Sequence, residues 1–138
     1  MSTTKIVSAD EAIARIRDND VIATTGFVQS CIPEMLEAGV WLVPTFSVGH
    51  WTILNASRGT IPKFIVEKTE AVWKTRMAGF KAFYDAGGKI AMGTDSGTQY
   101  NHHGLNAYEI KLMVDAGMKP VDALVAANAN AAELMGLK

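Results

Sequence analysis

Cysteine is almost missing from this chain. Cys31 stands alone, so no intrachain disulfide can form, and a reducing, cytoplasmic setting is the simplest expectation. An excess of charge is missing too. The chain has 13 Lys and Arg against 14 Asp and Glu, a formal net charge of −1. That excludes a general electrostatic grip on nucleic acid or anionic lipid. Residues 1–12 carry no apolar stretch of the kind a secretory leader needs. There are no repeats and no low-complexity tract. At 138 residues the chain is also too short for a complete eight-stranded β/α barrel, which takes roughly 200 residues or more. What is present is core-forming material: 49% hydrophobic residues against 20% charged, enough for one compact domain over residues 1–138.

One uncharged run, residues 38–57, has the length of a membrane span. Gly39, Pro44, Gly49, His50 and Asn55 interrupt it, and breakers and polar groups are costly in lipid. Two short buried segments joined by a loop are expected instead. Before it, Ser8-Ala9-Asp10-Glu11 forms a capping box for a helix over about 9–17. Val21-Ile22-Ala23-Thr24-Thr25 then reads as a buried strand ending at Gly26. A helical turn is expected over 33–38, stopped by Gly39.

Val40-Trp41-Leu42-Val43 is a second strand, stopped by Pro44. Its unbroken apolarity suits a parallel strand covered on both faces. Residues 55–63 read as loop. Residues 67–86 form the clearest helix, with Trp73, Met77, Phe80 and Tyr84 along one stripe. Its Lys68, Lys74, Arg76 and Lys81 are offset by Glu67, Glu70 and Asp85 and read as a solvated face. Lys89 to Thr94 is a third strand candidate. Helices are expected over 105–116, from Pro120 to about 127, and after Asn130, whose spacing to Glu133 mimics a capping box. Strands alternating with long helices imply the α/β class, with a small open parallel sheet of about three strands and flanking helices. Such a sheet leaves two apolar edges, so a homo-oligomer is expected.

Asp95 is the sharpest chemical position. It closes an apolar strand, where ligands gather in α/β sheets, and a carboxylate there can hold a metal or act as general base. Asp95-Ser96-Gly97 is equally a common turn, in which the side chain bonds its own backbone. Spacing alone leaves both readings open. His50 follows the second strand in a loop, and His102 and His103 follow the third. If the strands pair, His50, Asp95 and one of the adjacent histidines meet at one rim and form a zinc-type shell. No His-x-His or His-x-x-x-His spacing supports that shell, so three separate imidazoles are the default. Cys31 shows no neighbouring base and reads as a buried inert thiol.

From about Met35 to the end, the chain resembles the last part of the amidohydrolase superfamily, near its imidazolonepropionase and prolidase-like members. The likeness is carried by Gly39-Val40-Trp41-Leu42-Val43-Pro44-Thr45, by Lys89-Ile90-Ala91-Met92-Gly93-Thr94-Asp95-Ser96-Gly97 and by His103-Gly104-Leu105-Asn106-Ala107-Tyr108-Glu109. Met113-Val114-Asp115-Ala116-Gly117-Met118 and Asn130-Ala131-Ala132-Glu133-Leu134 continue it in order. The resemblance implies that residues 40–45 and 90–94 are the seventh and eighth strands of a (β/α)8 barrel. It implies that Asp95 matches the aspartate that binds metal and shuttles a proton from the attacking water. It also implies that His103 lies near the substrate mouth.

Residues 1–34 are similar instead to the opening of a family I acyl-CoA transferase. Lys5-Ile6-Val7-Ser8-Ala9-Asp10-Glu11-Ala12, Asp20-Val21-Ile22-Ala23-Thr24-Thr25-Gly26-Phe27 and Ile32-Pro33-Glu34 carry that likeness.

The two resemblances together imply an incomplete barrel fragment, residues 35–138, behind a foreign helix–strand unit, residues 1–34. The family's other metal ligands have no counterpart here. The expectation is therefore a hybrid or truncated protein of the metal-dependent C–N hydrolase type. Asp95 is vestigial in it, no cofactor is required and independent catalysis is not expected. Two other readings stand beside it. One is a remodelled hydrolase with a new zinc site at Asp95 and His50, completed by oligomerisation. The other is an acyl-CoA or nucleotide binding module at the Gly26 loop.

Overall fold

The computed structural model describes residues 32–137, together with positions 11 and 14. The helix expected over 9–17, the strand over 21–25 and Cys31 lie outside the described residues.

The described chain opens with α1 (Ile32–Glu37), which Gly39 ends at φ 61°, as its sequence position demands. Strand β1 (Trp41–Leu42) follows, then α2 (Phe46–Leu54) and a single 3-10 turn, Ala56–Arg58. The long α3 (Lys63–Asp85) leads to β2 (Lys89–Ile90). After an extended loop come α4 (Tyr108–Asp115) and α5 (Pro120–Val125), the latter with its proline in the first turn. A π-helical turn, Ala126–Asn130, passes without a break into α6 (Ala131–Leu134). Among the described residues no helix is long and apolar enough to cross a membrane.

The two strands pair in parallel, Trp41 opposite Lys89 and Leu42 opposite Ile90. The Ala91 amide extends the ladder by donating to Leu42 O at 3.1 Å. The ladder stops there for a covalent reason: the next β1 donor would be Pro44, which has no N–H. Three strands were expected, and two are found among the described residues. The third candidate, 89–94, is a strand only at its start. Met92 leaves the pairing and donates to Ala126 O at 3.0 Å in the π turn. Gly93 lets the strand ends close up, because a Cβ there would stand 2.4 Å from Val43 Cγ1.

The core forms where α2, α3 and α4 meet the sheet. Phe46, Phe80, Phe83, Ile90, Leu112 and Met113 are buried in one cluster with Met118, Ala123 and Ala126. The stripe on α3 does what its spacing predicts: Phe80 is in the core and Trp73, Met77 and Tyr84 pack against it. Phe46 meets the Trp73 and Phe80 rings edge-on, at 6.0 and 5.1 Å between centroids.

Three expectations need correction. Residues 46–54 are a helix rather than a loop. The segment has no charged residue and no polar stripe, so periodicity gave no signal. The 105–116 helix begins only at Tyr108, because turns occupy 105–107. Asn130 does not cap a new helix. Its backbone is helical and its side-chain Nδ2 donates to Ile90 O at 2.8 Å, so it serves the sheet.

Replacing Asn130 by Ala should therefore strip β2 of a bond rather than shorten a helix. The expected loss is about 1 kcal/mol in urea unfolding. Circular dichroism should show helix content unchanged.

Candidate functional site

The carboxyl ends of the two strands carry matching features. Each ends on a residue in the left-handed region, Thr45 (φ 46°) after β1 and Asp95 (φ 51°) after β2. Non-glycine residues rarely sit there unless the surroundings impose it. Different buried groups do the imposing at each end.

At the β1 end, the first amides of α2 need acceptors, and Thr45 makes no side-chain cap. Glu109 supplies them from α4. Its Oε1 accepts from Phe46 N at 2.7 Å, and its Oε2 accepts from Ser47 N at 2.7 Å and Ser47 Oγ at 2.5 Å. Glu109 is fully buried. Burial pushes its pKa above the usual carboxylate value, while the three bonds and the nearby Arg76 charge pull the other way. The positive N-terminus of α2 favours the ionised form as well.

Arg76 takes the carbonyls of the same turn. Its guanidinium donates to Pro44 O at 2.8 Å and lies over the Phe46 ring, 5.8 Å from its centroid. Arg76 therefore does not belong to the solvated face of α3. Its pKa is lowered by burial, against the supporting charge of Glu109.

At the β2 end the organiser is Asn101, 2% exposed. Its Nδ2 donates to Thr94 O at 2.7 Å and to Asp95 O at 2.9 Å. Its backbone carbonyl accepts from Gly97 N at 2.8 Å. That amide is the one an aspartate turn would have recruited, so the loop is tied by Asn101 rather than by Asp95. Ser96 Oγ bonds Thr94 Oγ1 and Asn106 Oδ1, both at 2.7 Å. Tyr100, also left-handed at φ 65°, ties the loop to the turn before α3. Its hydroxyl meets Thr60 Oγ1 at 2.5 Å and Arg58 stacks over its ring.

This frame leaves Asp95 exposed at the strand end. His103 reaches the turn that follows it, its Nε2 3.5 Å from where a Cβ on Gly97 would be. His102 is exposed. His50 sits on α2, with ring centroids 4.9 Å from both Trp51 and Tyr108. Burial lowers its pKa, with the Lys111 charge acting in the same direction. The conditional shell of His50, Asp95 and a loop histidine finds no counterpart among the described residues. Among the described residues no three His, Cys, Asp or Glu side chains gather where they could hold a metal ion.

Sequence reading passed over Asn101 altogether. It met Glu109 only inside a family-like stretch and took Arg76 for a surface charge. The bonds that matter span 31 to 63 residues for Arg76 and Glu109, so no local spacing announces them.

Two outcomes follow. A carboxyl whose folded pKa is raised contributes most below its unfolded value near 4.5, and that contribution is lost as pH rises through the raised value. Urea unfolding of the native protein, measured against Glu109→Gln, should show this extra stability fading from about pH 4.5 upward, with the glutamine variant flatter. Asn101→Ala should cost about 1–3 kcal/mol in thermal unfolding. By releasing the Thr94 and Asp95 carbonyls it should also loosen the loop, so that the Gly97 amide, bonded to the Asn101 backbone, exchanges sooner than the Ala91 amide.

No curated protein matches the chain. Among solved structures, a crystal structure of a Xaa-Pro dipeptidase with bound methionine in the active site is similar, with 30% sequence identity and a TM-score of 0.65. The similarity covers 79% of this chain but only 27% of that one, so the chain spans about a quarter of its length. Residues 15–138 match the amidohydrolase family, and the match runs through residues 15–34, where no comparison supports the acyl-CoA transferase likeness. On that match the chain belongs to the amidohydrolase family.

Proposed function

We propose that this chain is an amidohydrolase-like polypeptide with an incomplete metal centre, which does not by itself hydrolyse a C–N bond. The isolation of Asp95 carries the reading. A catalytic zinc needs about three protein ligands and an open position. All 3 histidines of the chain fall among the described residues, and no ligand group of that size forms there. That absence among the described residues supports the reading of an incomplete centre.

Within this reading β1 and β2 derive from the last two strands of a barrel. Asp95 keeps the place of the proton-accepting carboxylate and His103 the place of a residue bordering the substrate. The buried ties of Glu109, Arg76 and Asn101 preserve the strand ends as a scaffold. The acyl-CoA transferase likeness is not needed for it.

The test uses the purified full chain, incubated with zinc, desalted and assayed for bound metal and for cleavage of an Xaa-Pro dipeptide. Zinc well below one per chain, with no turnover above buffer, is the expected result. Stoichiometric zinc that is lost on Asp95→Asn, together with turnover, would overturn it. That result would favour a remodelled site at Asp95.

A further inference from the structure

Main-chain groups along a strand face alternately to its two sides. Ala91 donates to Leu42 O and so faces β1, which leaves Ile90 and Met92 facing the opposite edge of β2. That edge is occupied from within the chain. Asn130 Nδ2 donates to Ile90 O at 2.8 Å, and Met92 N donates to Ala126 O at 3.0 Å. Both partners belong to one π-helical turn, Ala126–Asn130, and stand at its two ends. Such turns are rare and concentrate where a helix has a task beyond its own bonding. Ala126 is fully buried, so the turn lies close against its surroundings.

The occupied edge is complementary to itself. It offers an acceptor at Ile90 and a donor at Met92, two residues on. Identical strands that pair across a two-fold axis run antiparallel. With Ala91 at the axis, Ile90 of each copy stands opposite Met92 of the other. An antiparallel pair of that kind exchanges both main-chain hydrogen bonds. The acceptor now held by Asn130 and the donor now held by Ala126 would then satisfy each other.

We propose that the 126–130 turn is an intrachain cap on this edge, and that the uncapped edge takes a second copy of this chain, antiparallel, with Ile90 opposite Met92. Each copy gives up two bonds and regains equivalents across the axis. The capped form prevails in the native chain because its partners are already tethered, whereas association costs translational and rotational freedom. The cap thus keeps a strand edge from acting as a template.

Hydrogen exchange by NMR and sedimentation velocity, both on the full chain, test the proposal. Asn128→Ala is the control, because that side chain bonds Leu124 O within its own helix. In dilute Asn130→Ala the Met92 amide should exchange about fivefold faster than in the native protein, the worth of one lost hydrogen bond. The Ala91 amide, which faces β1, should keep its protection. Raising the concentration of Asn130→Ala should slow Met92 exchange again and increase the sedimentation coefficient. Ala126→Leu, which puts a larger side chain at a fully buried position of the turn, should act in the same direction. Asn130→Asp should free the Met92 amide without association, since a charge set at a strand edge blocks pairing. A purely structural Asn130 would make its alanine and aspartate variants alike. Met92 exchange in Asn130→Ala and Ala126→Leu that matches Asn128→Ala overturns the cap. Release of Met92 without concentration-dependent association, or association that leaves Met92 exchange fast, overturns the pairing.

Discussion

A single buried carboxylate holds the described structure in register. Glu109 belongs to α4, yet the amides it satisfies begin α2, 62 and 63 residues earlier. Without it the first turn of α2 would present unpaired N–H groups to the core beside Phe46, at a cost of several kcal/mol for the set. Arg76 completes the arrangement from α3 by taking the carbonyls on the other side of Thr45. Three helices are thereby fixed to one turn. An acid takes the donors that follow the left-handed residue and a base takes the acceptors that precede it. Each charge favours the ionised form of the other, against the burial that opposes both.

The β2 end uses a neutral device for a similar task. Asn101 binds two successive carbonyls and one amide of the 94–101 loop and so closes the Asp95 turn without using the Asp95 carboxylate. That division of labour bears on function. A carboxylate engaged in its own turn is a structural group; one held in a left-handed position by a different side chain is free to face solvent or a ligand. His103 lies beside the same loop. The strand ends thus hold Asp95 exposed, although among the described residues no ligand set accompanies it.

Legibility in the sequence followed the range of the interaction. The α3 stripe, the glycine stop at Gly39 and the proline start of α5 are decided within a few residues, and each stands where local chemistry put it. Helix α2 was invisible because it is apolar all round and its N-terminal acceptor comes from another element. Asn130 shows the same limit from the opposite side. Its local spacing to Glu133 is that of a helix cap, but the carbonyl of Ile90, 40 residues away, takes the side chain. The position of Asp95 could be read because a strand end is a local event; its isolation could not, because ligand convergence is not.

The asymmetry of the sheet follows from these same long-range ties. Asn130 bonds Ile90 and the Ala126 carbonyl bonds Met92, so the C-terminal helices occupy positions that a neighbouring strand would otherwise take beside β2. Growth of the sheet on that side would break two good hydrogen bonds before forming any. Growth beside β1 breaks none among the described residues, and the left-handed turn at Thr45 limits its length.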